Sequence, residues 1–187
     1  MVAPTAVSGY LLLWFVLRVI ALRSATPATV ARRSPWFTWI ALMYCFLCAL
    51  VLAAEELWLG PGTSEIGLVR LSAGIAILVI ALASDALCLR LLGDLYSLEM
   101  GVKSDHIVVR RGMYQLIRHP IYLSNVVGYL GVCLLLNHWV AWVGLVAQSG
   151  GFVFMARHEE AFLVHHLGGM YEQYRRDVRW MFIPGVL

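Results

Sequence analysis

Five apolar runs, at residues 8–22, 36–54, 66–83, 120–136 and 139–156, dominate this sequence and are parted by charged segments. A helix rises about 1.5 Å per residue, so about 17–20 apolar residues match the hydrocarbon core of a bilayer. Only 13% of the residues are charged, roughly half the share of a soluble domain. The expected fold is therefore all-α, a single polytopic membrane domain over residues 1–187 with about five transmembrane helices. The first run contains Arg18 and lacks a small-residue cleavage pattern, so it reads as a retained span.

The lipid bilayer is thus the first partner. Nucleic acid is not expected, because no arginine-rich patch is interleaved with exposed aromatics. The positions of the basic residues matter more than the net charge of +3. Segment 23–35 carries three, segment 84–119 five and the tail from 157 four. With five spans all three regions share one side, and the opposite side holds Arg70 with Glu55, Glu56 and Glu65. The basic side faces the cytoplasm, so the amino terminus is expected outside and the carboxyl terminus inside. Arg18 would snorkel toward the loop that follows it, and Trp36 and Trp39 would anchor the second span. The third helix would emerge into the interface through Asp85 and Arg90. The four cysteines (Cys45, Cys48, Cys88 and Cys133) lie in or beside apolar runs and read as packing residues. Cys45 and Cys48 have C-x-x-C spacing, but no second pair or nearby histidine completes a metal site.

The last two spans form an expected helical hairpin with its turn at Asn137-His138. Each arm is roughly 25 Å long at about 1.5 Å per residue, so Arg118–Tyr122 and Arg157–Glu160 return to the same edge. Pro120 suits a first helical turn. His119 would then cap it, with free N–H groups behind that offer an anion site. The plain alternative is a basic membrane boundary followed by a helix start. Glu159 and Glu160 point about 100° apart on a helix, so one can face the groove while the other faces water. Here the alternative is an ion pair between Arg157 and Glu160 within the helix. Tyr171 and Tyr174 follow at one-turn spacing, a pattern that packing alone can produce. Past residue 157 a cytoplasmic helical segment is expected, and Trp180-Met181-Phe182 would rest on the membrane surface.

Two blocks carry a family resemblance. The first reads His106-Ile-Val-Val-Arg-Arg-Gly112-Met-Tyr114-Gln-Leu-Ile-Arg118-His119-Pro120-Ile-Tyr122. It is similar to the pattern H-x-L-V-x-x-G-x-Y-x-x-x-R-H-P-x-Y of the isoprenylcysteine carboxyl methyltransferases and phospholipid methyltransferases. The second, from Glu159-Glu160 through Leu163, Gly168 and Tyr171 to Tyr174, resembles their E-E-x-x-L-x-x-x-F-G-x-x-Y-x-x-Y. The resemblance covers residues 92–184. Val108 and Leu167 depart from the pattern, as does Ser124, where many members have glycine.

The resemblance implies a membrane methyltransferase that uses S-adenosylmethionine on a lipophilic acceptor, either an isoprenylcysteine carboxylate or a phospholipid amine. It implies that His106, Val108, Val109 and Tyr114 line the nucleotide. Arg118, His119, Pro120 and Tyr122 would meet the cofactor where the fourth span begins. Glu160, with Glu159, would take its ammonium or ribose hydroxyls, and Tyr171 would complete the pocket. Arg157 would orient an anionic acceptor, and Glu160 or a neutral His119 would accept a proton from an amine. No G-x-G-x-x-G loop follows a strand, so a Rossmann methyltransferase is not expected. An NADPH-dependent sterol or enone reductase would read H-P-N-Y-x-G-[ED], whereas this chain has His119-Pro120-Ile121-Tyr122-Leu123-Ser124-Asn125. A non-catalytic scaffold that has kept the fold is the third reading.

Overall fold

The computed structural model describes residues 2–24, 31–32, 47, 51, 67–96, 101–102 and 106–186. The expected second span, with Trp36, Trp39, Cys45 and Cys48, lies outside the described residues apart from Leu47 and Val51, as does the loop at 55–65. Five helices organise the described residues: α1 (Val2–Ser24), α2 (Leu68–Leu92), α3 (Pro120–Leu136), α4 (Trp139–Leu167) and α5 (Gly169–Asp177). One two-residue antiparallel pairing, β1 (Ala31–Arg32) with β2 (Gly101–Val102), accompanies them.

Among the described residues, three helices are long and apolar enough to cross a membrane, over Ala3–Arg23, Leu68–Leu95 and Trp139–Leu167. The shorter α3, of 17 residues, is also apolar in character. Leu12, Leu13 and Phe15 of α1, Val79 and Ile80 of α2, and Val143 and Val146 of α4 are exposed. So much outward apolar surface is stable against lipid and a liability in water. The chain is an integral membrane protein.

The expected limits of the fourth span coincide with α3. Pro120 opens it, and Asn137, in the left-handed conformation at φ 51°, closes it with its N–H on the Cys133 carbonyl. α1 starts before residue 8 because Ala3 and Val7 pack into the core. α2 continues past residue 83 because Asp85, Cys88 and Leu89 face inward, where an emergence into the interface was expected. α4 likewise runs beyond Ala156 to Leu167.

Among the described helices, α2 and α3 make the most extensive contact. A Cβ on Gly131 would meet the Leu78 side chain and the Gly74 carbonyl, so the two backbones approach over glycine. Tyr10, Leu78, Ala81, Tyr129, Val132 and Leu135 fill the surrounding core. Cys88 and Cys133 are free and buried, in the packing role expected of them.

Two expectations are corrected. Arg18 does not snorkel: it is buried, its Nη2 donates to Asp85 Oδ1 at 2.8 Å, and its guanidinium lies over Trp14 and Tyr96. A carboxylate within reach removes the need to seek water. Nor do Met181 and Phe182 lie on the surface, because both are buried against Tyr122, Met155 and Ala156. The N–H groups of Arg118 and His119, unpaired ahead of a helix, donate to the carbonyls of Trp180 (2.9 Å) and Met181 (3.0 Å). That pairing draws the tail inward.

Candidate functional site

The first turn of α3 and the two residues before it present three side chains to the far end of α4. Arg118 Nε donates to Glu160 Oε1 at 2.6 Å, and His119 Nε2 reaches the same oxygen at 3.2 Å. The Tyr122 hydroxyl donates to Glu159 Oε2 at 2.7 Å. His119 occupies the cap position ahead of Pro120, as expected, and its ring stacks on that of Tyr122 at 5.4 Å. The two stretches do face each other across the α3–α4 pair.

Glu160 has no pairing with Arg157. Its second oxygen meets Arg175 Nε of α5 at 3.2 Å, while Arg157 is exposed on α4. Burial pushes the Glu160 carboxyl up, but the hydrogen bonds and charges of His119 and Arg118 outweigh it and hold it below its ordinary value. The carboxylate is therefore ionised and can only accept, so His119 Nε2 is the donor.

The second block closes over the first. Tyr174 donates to the Tyr114 carbonyl at 2.8 Å, and Arg110 pairs with Asp177 at 2.8 Å. Arg118 Nη1 donates to the carbonyls of Val178 and Arg179. Gly112 and Gly168, the glycines of the two blocks, have φ of +60° and +53°, a conformation that side chains resist. Burial raises the hydroxyls of Tyr171 and Tyr174 above their ordinary 10, so both stay neutral.

A cavity of about 220 Å³ opens between these elements. His106, Val108, Val109 and Tyr114 line it from the first block, followed by Arg118, His119 and Tyr122. Glu159 and Tyr171 line it from the second. Pro120, Glu160 and Arg157 are not among the lining residues. Of the adjacent carboxylates, Glu159 meets the cavity and Glu160 holds Arg118, His119 and Arg175 in place. Ser124 is buried, and its hydroxyl donates to Pro120 O of its own helix.

Sequence reasoning missed the share taken by the apolar spans. Trp14 and Arg18 of α1, Asn125 of α3 and Gln148 of α4 also line the cavity. Trp14 Nε1 donates to Asn125 Oδ1 at 2.7 Å. The available signal was an asparagine and a glutamine inside apolar runs, which lipid tolerates poorly.

The lining suits S-adenosylmethionine in kind. Glu159 is a carboxylate for an ammonium, Arg118 is a cation beside a helix start for a carboxylate, and Tyr114, Tyr171 and Tyr174 are aromatic faces for an adenine.

Comparisons with known proteins point the same way. The model of the isoprenylcysteine carboxyl methyltransferase (ICMT) family matches residues 74–165, from within α2 to near the end of α4. A protein-S-isoprenylcysteine O-methyltransferase of Dictyostelium discoideum is 33% identical over 86 residues, 45% of this chain and 35% of that protein. One from Schizosaccharomyces pombe is 36% identical over 77 residues, 40% of this chain and 32% of that protein. The matches thus span about a third of each relative's length. The family model's match contains the first block entire, the turn after α3, and the Glu159-Glu160 pair that begins the second. Over residues 74–165, just under half of its length, the chain is similar to the isoprenylcysteine carboxyl methyltransferase family.

Proposed function

We propose that this protein transfers a methyl group from S-adenosylmethionine to the carboxylate of a prenylated cysteine, at the cytoplasmic face of a membrane. The observation that carries the reading is the meeting of Arg118, His119 and Tyr122 with Glu159 and Glu160 beside one cavity. The names of the related proteins supply the acceptor class. In this reading the chain is one domain with five spans, residues 120–156 are a membrane hairpin, and the amino terminus is outside. The basic segments support that orientation.

When bound, S-adenosylmethionine supplies a methyl group already activated by its sulfonium, so a carboxylate acceptor needs no proton removed. The task left to the protein is alignment and exclusion of water. Glu159 and Tyr122 bind the ammonium end, and Arg118 with the start of α3 binds the carboxylate end. His106, Val108, Val109, Tyr114 and Tyr171 enclose the nucleoside. Glu160 is a positioning residue, because its oxygens are taken by Arg118, His119 and Arg175. His119 faces Glu160 through Nε2 and Glu159 through Nδ1 at 3.6 Å. Arg157, exposed and away from the cavity lining, drops out of the acceptor site.

The test supplies labelled S-adenosylmethionine to the protein in liposomes with N-acetyl-S-farnesylcysteine or phosphatidylethanolamine. Base-labile label on the farnesylcysteine supports the reading. Stable label on the lipid amine alone would overturn it.

A further inference from the structure

The membrane end of the cavity is lined by Trp14, Arg18, Asn125, Gln148 and Phe152, all outside the two sequence blocks. Arg18 is 6% exposed, and while its Nη2 is bonded to Asp85, its Nη1 is buried without a hydrogen-bond partner. The amide of Gln148 is in the same state, with Nε2 and Oε1 both buried and unpartnered. Asn125 beside them is satisfied, accepting from Trp14 and donating to the Ile121 carbonyl. Buried polar groups are almost always hydrogen-bonded, so two unmatched groups lining one cavity mark a place where a ligand completes them.

Their depth is fixed by neighbouring contacts. Tyr10 lies against Gly128 and Trp14 bonds Asn125, so α1 descends as α3 rises. One further turn along α1 brings Arg18 level with the first turn of α3, where His119 and Tyr122 stand. The Tyr122 ring stacks on Phe152 at 5.0 Å, and Gln148 lies one turn deeper on α4. Arg18 thus sits beside the expected place of methyl transfer, and Gln148 is just below it.

We propose that Arg18 and Gln148 are the acceptor's recognition site. Arg18 Nη1 takes the acceptor carboxylate. Gln148, with one donor and one acceptor, pairs with an amide next to that carboxylate. The ligand class is an N-acylated, S-prenylated amino acid, and the assignment rests on the function proposed above. Asp85 holds the guanidinium at this depth and leaves Nη1 for the ligand.

The experiment measures binding to the protein in lipid nanodiscs of N-acetyl-S-farnesylcysteine, its methyl ester, and S-farnesyl-3-mercaptopropionic acid, which lacks the amide. S-Adenosylmethionine binding is measured in parallel. The wild type should prefer the first compound to either of the others by about tenfold, the range of one hydrogen bond to a charged or buried group. Gln148→Leu should lose the preference over the amide-free acid and keep the other. Arg18→Gln combined with Asp85→Asn, which leaves no lone buried charge, should lose the preference over the ester. Both variants should retain S-adenosylmethionine affinity, and if the double variant fails to fold, Gln148→Leu alone decides. A wild type that binds S-adenosylmethionine but does not discriminate, or a folded variant that keeps its preference, would overturn the assignment. A wild type with no S-adenosylmethionine affinity would overturn the proposed function, and this assignment with it.

Discussion

Glu159 and Glu160 are neighbours whose positions differ by about 100° of helix rotation, and that rotation separates a ligand contact from a support. Glu159 is 30% exposed at its side chain and lines the cavity, whereas Glu160 is 4% exposed and meets three basic groups. Glu159→Gln is expected to weaken S-adenosylmethionine binding by about tenfold, the range of one charge-assisted hydrogen bond, with little change in thermal stability. Glu160→Gln should destabilise the protein by about 3 kcal/mol, because it leaves the buried Arg118 guanidinium without its counter-charge. Thermal unfolding and calorimetry on the same two variants separate these outcomes. The carboxyl of Glu160 is held below its ordinary 4.5, so its contribution is present above that value and is lost as pH falls through the depressed one. Unfolding followed below about pH 4.5 should therefore show an acid loss in the wild type that Glu160→Gln lacks. The sequence showed that one carboxylate would face inward, but only the partners Arg118 and Arg175, on other elements, decide which.

Among the elements, α3 was readable to the residue, because Pro120 and Asn137 mark its ends by backbone chemistry rather than by hydropathy. The limits of α1, α2 and α4 were not. Apolar residues surround a membrane helix, so no amphipathic phase announces where it begins, and polar residues such as Asp85 continue the helix when a partner is near. The tail was misread for a related reason: an apolar triplet looks the same whether it meets lipid or protein. Since Phe182 packs near His119 and Tyr122 at ring distances of 5.9 and 6.5 Å, Phe182→Ala should cost about 3 kcal/mol. It should also weaken cofactor binding, because the tail holds the start of α3 through the backbone bonds to Trp180 and Met181. Thermal unfolding in nanodiscs, with and without S-adenosylmethionine, reads both effects.

Across the whole chain, the two motif blocks supplied one wall of the cavity and the uncharted spans supply the other. Arg18 could not be assigned from its own surroundings, because its partner Asp85 is 67 positions away. The proposed orientation, argued from the basic segments, puts both blocks on the cytoplasmic side. A fluorescent protein fused after Leu187 should accordingly fold and fluoresce, and alkaline phosphatase inserted at residues 55–65 should be active. The reverse pattern would invert the orientation. The functional reading itself rests on what the cavity binds. Calorimetric titration of the nanodisc-embedded protein with S-adenosylmethionine and, separately, with NADPH addresses that directly. Saturable one-to-one binding of S-adenosylmethionine, weakened by Glu159→Gln, with no heat from NADPH is the predicted result. Binding of NADPH in place of S-adenosylmethionine, or S-adenosylmethionine binding indifferent to Glu159, would contradict it.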